Sequence, residues 1–342
     1  MNKKKSNAAL FFFLLINAVS YLGAEKVAVL DGVFRPDMMA FSDKYLYVSE
    51  KTTVHIYCLR DFKPVKKFGR EGEGPKEFKI NPMGAPLIVV PMGGKLLINS
   101  TAKVSIYTAE GEYIKEFKVP PNQVYIPFGD AYIYTGAAAG KDGKTVMAII
   151  LANSKFEKIK ELYLSDWEIG AAMKFEFPIS SLAFAPVGEK IYVVAGKEGF
   201  VIDIFDKSGK KLSRIKKDYQ PLKLPSDYKT KTVKWFSNDP NWRNLYNIFK
   251  DMFSFKTHYP PIFQISGGEN RLYLLTYKMR ENDRECIIMD LKGKEIKRVF
   301  LPIPEVYGFD LLPKYTFHNQ AFYILKENED EEVIELHKIG VE

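Results

Sequence analysis

The sequence predicts an all-β protein, a six-bladed β-propeller. Three observations predict it. A proline opens a short apolar run six times, at Pro36, Pro82, Pro121, Pro178, Pro261 and Pro313. After each run and a turn comes a second run rich in aromatic and branched residues. These are Tyr45-Leu46-Tyr47-Val48, Leu96-Leu97-Ile98, Tyr132-Ile133-Tyr134, Ile191-Tyr192-Val193-Val194, Leu272-Tyr273-Leu274-Leu275 and Phe322-Tyr323-Ile324. A glycine turn then recurs at one place in the cycle, as Ala109-Glu110-Gly111-Glu112, Lys207-Ser208-Gly209-Lys210 and Leu291-Lys292-Gly293-Lys294. A cycle of roughly 40–50 residues holding about four short strands is propeller periodicity. One four-stranded sheet cannot bury both its faces, whereas six packed radially can.

The strands follow in order. Blade one is expected at 38–41, 45–49, 54–59 and 65–68, with Ser42-Asp43-Lys44 as its first turn. Blade two is expected at 87–90, 96–99, 104–108 and 113–117, with Gly93-Gly94 between its first pair. Blade three spans 124–164, blade four 182–215 and blade five 262–300. The prolines fit the start of each inner strand, because proline lacks the ladder N–H and holds its predecessor extended. Blade six supplies only 315–317, 321–325 and 333–338. Its outer strand is expected from the other end of the chain, Lys26-Val27-Ala28-Val29-Leu30, closing the ring and covering an edge.

One interval is too long. Pro178 to Pro261 is 83 residues against 52 for the next, and the surplus lies at about 218–258. Within it, 240–253 reads as a helix inserted between blades four and five. Trp242, Leu245, Tyr246, Phe249, Met252 and Phe253 follow helical spacing, with Asp239 as N-cap and Pro240 at the first position. Asn241, Arg243, Asn244, Asn247, Lys250 and Asp251 fill the other face.

Lys3, Lys4 and Lys5 precede an apolar stretch from Ala8 to Leu22, then Gly23 and Ala24. A basic start, a short apolar run and small residues form a secretory signal peptide, expected at 1–24, with cleavage after Ser20 as an alternative and a retained anchor as another. The fold then occupies 25–342, in the periplasm or outside the cell. The formal charge of +8 falls to +5 without those lysines. Lys207, Lys210, Lys211, Arg214, Lys216 and Lys217 are read as guards of an edge strand, and no nucleic-acid partner is expected. Cys58 and Cys286 fall on non-neighbouring blades, so two buried free thiols are expected rather than a disulfide.

Phe68-Gly69, Gly72, Gly74-Pro75 and Phe78, followed by Pro82-Met83-Gly84, resemble the linker between consecutive NHL repeats, the blades of six-bladed propellers. Pro36, Tyr45-Leu46-Tyr47-Val48 and Val54-His55-Ile56-Tyr57 are similar to the body of that repeat. Ser49 or Glu50 stands where NHL blades usually carry aspartate, and the motif is specific only over 36–84. The whole chain resembles exported bacterial propellers of NHL-like and TolB-like type. Some relatives of that fold are lactonases or lyases holding a metal at the channel mouth, which the resemblance offers as one alternative. The residues themselves provide no such ligand set. The four histidines lack ligand spacing, and Asp37 and Asp310 read as strand-end residues. No catalytic set, metal or cofactor is expected. The same glycine-rich segment lacks the Gly-Lys-Ser/Thr ending of a phosphate loop and reads as a crossing between blades.

The expectation is therefore a non-catalytic, monomeric binding propeller that presents its loop face and channel mouth to a protein, peptide or glycan. A scaffold in an envelope assembly is a further alternative. The candidate ligand-binding residues are Trp235, Trp242, Arg243, Tyr246 and Asn247, all in the insertion. Packing of the aromatic stripe onto the propeller is the competing reading for these side chains.

Overall fold

Each cycle of the sequence folds into one antiparallel four-stranded sheet, six in all. The computed structural model describes residues 23–79, 86–140, 143–168, 175–178, 182–239, 242–308 and 314–341. Pro82, Pro240, Asp310, Pro313 and nearly all of the leader at 1–24 lie outside the described residues.

Blade one is Met38–Phe41, Tyr45–Glu50, Thr53–Cys58 and Pro64–Phe68, paired in that order. Blades two to five repeat the pattern, running from Ile88–Met92 to Tyr113–Lys118, Ile126–Phe128 to Lys158–Glu168, Phe184–Val187 to Lys211–Lys216 and Gln264–Gly268 to Glu295–Leu301. Blade six is Tyr315–His318, Ala321–Asn328 and Val333–Gly340, with Glu25–Val29 antiparallel beside the last of these. Glu25 lies opposite Lys338 and Val29 opposite Glu335.

The core explains the unbroken apolar runs in the sequence. Successive strand residues face opposite sides of a sheet, so every blade feeds two interfaces. Leu46 and Val48 join Leu336 and Tyr323 of blade six, while Tyr47 between them joins Leu96 and Ile98 of blade two. Four more clusters join blades two to three, three to four, four to five and five to six. Six interfaces between six sheets make a closed ring. The inner strands of blades four and five pack tightly at Gly267, where any side chain would run into Val187.

Alternating strand direction sorts the loops onto two faces. Crossings from an outer strand to the next inner strand share one face, the crossing face, with the turns between second and third strands. The outer hairpins share the opposite, hairpin face with the first turns. Gly293, at φ +88°, sits in one of these outer hairpins, where a Cβ would clash with Ile215 of the preceding blade and where the backbone angle favours glycine.

Just past every outer hairpin the ladder slips by one residue. The skipped residues are Val65, Ile114, Ile159, Leu212 and Ile296, each second in its outer strand. The strand Glu25–Val29 carries the same slip at Val27, opposite Leu336 and His337, although no hairpin joins it to its neighbour. A bulge bends an outer strand and spoils it as a template for further pairing.

The insertion differs from the single expected helix. Helix α1 is Tyr228–Asn238 and α2 is only Arg243–Phe249, followed by a 3₁₀ turn at Lys250–Met252. Phe253 leaves the helical path because Phe253–Phe255 pairs in parallel with Phe175–Phe177 from the previous crossing. A tertiary pairing overrides the local period there. Asp239 accepts from the Trp242 amide at 3.2 Å through its side chain, while Trp242 itself is the N-cap residue. Cys286 is buried and Cys58 only half-buried, because Cys58 ends its strand at the outer hairpin; both are free thiols.

Candidate functional site: an aromatic cap on the crossing face

Three crossings meet above blades four to six. The insertion is pinched at its base, where Leu224 donates to the Thr257 carbonyl and Tyr259 to the Leu222 carbonyl. Between these ends α1 turns Tyr228, Thr232 and Phe236 inward at four-residue spacing. Phe236 is 1% exposed and is the hub of a separate small core. Trp235, Phe253 and Tyr246 pack around it, with ring centroids 4.8, 5.0 and 5.7 Å away. Trp242 lies 6.3 Å from Trp235.

The structure thus brings Trp235, Trp242 and Tyr246 together, each half-buried in the cap. Arg243 is exposed and donates from Nε to the Ser237 carbonyl at 2.7 Å, tying α2 to the end of α1. Asn247 is exposed on α2, as is the neighbouring Ile248. The stripe packs against the ring, as its competing reading holds, yet Trp235, Trp242 and Tyr246 stay only half-buried.

Sequence reasoning missed what fastens the cap. The crossing from blade five to blade six carries Glu305, whose carboxylate accepts from the Tyr259 hydroxyl at 2.5 Å and from the Tyr307 hydroxyl. Burial pushes the Tyr307 phenol up to about 12, and burial with the Glu305 bond pushes Tyr259 further up. Both phenols therefore stay protonated and donate at neutral pH. Gly308 of the same crossing lies against the Trp235 indole so closely that no Cβ fits. Beneath them Arg284, 1% exposed, donates to the carbonyls of Thr276 (3.0 Å) and Pro304 (2.9 Å), and its guanidinium lies 4.4 Å from the Phe263 ring. Burial lowers its pKa, and Tyr315, Tyr277 and Glu305 oppose that fall. The available signal was Pro304-Glu305-Val306-Tyr307-Gly308, an acid, a tyrosine and a glycine together in a crossing.

Other candidates are structural. Asp37 Oδ2 accepts from the Lys51 amide at 2.5 Å, and burial raises its pKa. The segment 68–78 is a crossing braced by Lys103, which donates to the carbonyls of Gly74 (3.0 Å) and Glu77 (2.6 Å). His55 lies 3.4 Å from Glu50 and His337 2.8 Å from Glu335, while His318 stacks on Phe41 and His258 contacts Thr257. Among the described residues, no three of His, Cys, Asp and Glu gather to hold a metal ion. Nor is any described helix long and apolar enough to cross a membrane.

No family model matches the chain, and no curated protein matches it. Solved structures similar to it include a luciferin-regenerating enzyme, at 11% identity and a TM-score of 0.44 over 93% of this chain and 95% of that one. Hsv2 of Kluyveromyces lactis is 10% identical, with a TM-score of 0.39 over 89% and 97%. Hydrazine synthase of Kuenenia stuttgartiensis is 13% identical, with a TM-score of 0.40 over 92% and 88%.

Proposed function

We propose that this chain is an exported binding propeller of NHL-like and TolB-like type, whose crossing face takes a protein, peptide or glycan. The observation that carries the reading is the cap. Trp235, Trp242 and Tyr246 are packed around Phe236 yet only half-buried, with Arg243 and Asn247 exposed in the same insertion. Rigid aromatic surface with polar neighbours suits stacking on a sugar or on an apolar side chain. The cap supplies buried phenols and a buried guanidinium, groups that hold a shape rather than exchange protons near neutral pH. The basic and apolar start of the chain supports export with removal of 1–24, and the strand Glu25–Val29 then becomes the mature N-terminus and closes the ring on blade six.

The test is a glycan and peptide array probed with the protein and with a Trp242→Ala/Tyr246→Ala variant. The reading expects a ligand class lost in the variant while the thermal transition of the ring stays in place. Metal-dependent turnover of lactones or esters would favour the enzyme alternative instead.

A further inference from the structure

The opposite face carries a second, independent feature. The outer hairpins of blades three, four and five adjoin one another in the ring. Lys160 of blade three donates to the Ser208 carbonyl in the hairpin of blade four, and Gly293 in the hairpin of blade five rests on Ile215 of blade four. Each tip carries an excess of lysine over its own acids, which are Glu157 in the first, Asp206 in the second, and Asp290 and Glu295 in the third. Lys155, Lys158 and Lys160 belong to the first, Lys207, Lys210 and Lys211 to the second, and Lys292, Lys294 and Lys297 to the third.

Some of these charges are spent inside the fold. Lys158 pairs with Glu161 at 2.5 Å, Lys207 with Glu189 at 2.9 Å and Lys211 with Asp203 at 2.8 Å. Lys155, Lys210, Lys292 and Lys294 are exposed and make no ion pair among the described residues. These four sit in turns, not on edge strands. Protection of an edge therefore does not require them, as it does the strand lysines.

Directly after each basic turn stands the bulge residue, Ile159, Leu212 or Ile296, at 54%, 45% and 48% exposure. Each of the three blades thus presents a lysine tip with a branched aliphatic beside it. All three lie on one face because strand direction alternates identically in each blade. Cations mixed with aliphatic groups along one face match a negatively charged surface with an apolar layer beneath it.

We propose that the hairpin face of blades three, four and five docks on an anionic lipid bilayer. The lysines meet the headgroups, and Ile159, Leu212 and Ile296 reach the acyl boundary. Docking this way turns the crossing face and its cap away from the bilayer. The proposal stands or falls separately from the ligand reading of that cap.

Co-sedimentation with vesicles tests it. Vesicles of phosphatidylcholine with and without phosphatidylglycerol are compared in low and high salt, using residues 25–342, the form proposed after export, because Lys3, Lys4, Lys5 and the apolar run behind them would hold the chain on vesicles by themselves. The expectation is binding that rises with phosphatidylglycerol and falls with salt. K155E/K210E/K292E/K294E should lose at least a hundredfold, each lysine near such a surface being worth about fivefold. Ile159→Ser/Leu212→Ser/Ile296→Ser should weaken binding and leave its salt dependence. K223E/K234E/K250E on the crossing face should bind as the parent does. If the charge reversal fails to fold, the same four positions changed to Gln answer the question. Equal binding to phosphatidylcholine alone, an unaffected hairpin variant, or binding to heparin without binding to vesicles overturns the assignment.

Discussion

The Tyr192 hydroxyl of blade four donates to the Leu291 carbonyl in the outer hairpin of blade five, at 3.2 Å. Tyr47 of blade one does the same to Ala109 of blade two, at 3.1 Å. Both tyrosines are third in the second strand of their blade. Each buries its ring in one interface and spends its hydroxyl on the next blade's turn. Tyr192→Phe should remove the bond and keep the packing, costing about 1 kcal/mol in a urea titration. Tyr192→Leu should cost clearly more, because ring area is lost as well. Equal costs would mean that the hydroxyl contributes nothing to joining the blades.

Gly308 fixes the cap. Its φ is +62° and its α-carbon lies against Trp235. Gly308→Ala meets both obstacles, so a loss of more than about 1 kcal/mol is expected. The loss should be local. Hydrogen exchange should accelerate in Tyr228–Asn238 and the tryptophan emission should shift red, with exchange in the strands of blades one and two unchanged. Faster exchange throughout the ring would show that the cap and the ring unfold as one unit.

Arg284 makes a different claim on stability. It is the largest fully buried side chain among the described residues, and the groups that accept from it or stack on it are carbonyls and rings rather than a carboxylate. Arg284→Ala would leave a cavity and two carbonyls without a donor, an expected cost of about 3 kcal/mol. Arg284→Lys should recover little of it, because an ammonium lacks the planar fork that reaches both carbonyls from over the Phe263 ring. Denaturation midpoints of the two variants decide between a geometric role and a mere need for charge.

The ring was legible because its causes are local. The unbroken apolar run Tyr45-Leu46-Tyr47-Val48 reports a strand buried on both faces of its sheet, and the turn glycines report a required positive φ. The hairpin of blade three escaped notice for a physical reason. Phe156 takes the position of Gly293, at φ +65°, and its ring packs 4.9 Å from Phe117 of the preceding blade. Burial there holds a backbone angle that composition argues against. Phe62 does likewise in blade one, at φ +52°. The cap was half legible. Trp242 and Tyr246 follow a helical stripe, whereas α1, with two β-branched threonines and a valine, shows only Tyr228, Thr232 and Phe236 in phase. Of its fasteners, Tyr259 is 46 residues from Glu305 and meets it only through the fold, whereas Tyr307 is 2 residues away and its contact is local.

The strand Glu25–Val29 is held by side chains as well as by its ladder, and that hold should depend on pH. Glu335 accepts from Asn328 at 3.1 Å, contacts His337 at 2.8 Å and pairs with Lys26 at 3.0 Å. These three partners, Asn328 first, pull its carboxyl down from 4.5 to about 2. A carboxylate with a depressed pKa stabilises the fold fully above its unfolded value and loses that contribution as pH falls through its folded value. The clasp should therefore be intact at pH 7, weaken below about 4.5 and be gone below about 2. Glu335→Gln removes the charge at every pH. Its stability should lie below the parent's at pH 7 and converge with it toward pH 2, as read by denaturation midpoints across that range. Limited proteolysis at neutral pH should release the first strand sooner from the variant than from the parent. Parallel pH profiles would show that Lys26 and His337 add nothing to closing the ring, leaving the backbone ladder to Val333–Gly340 as its sole fastening.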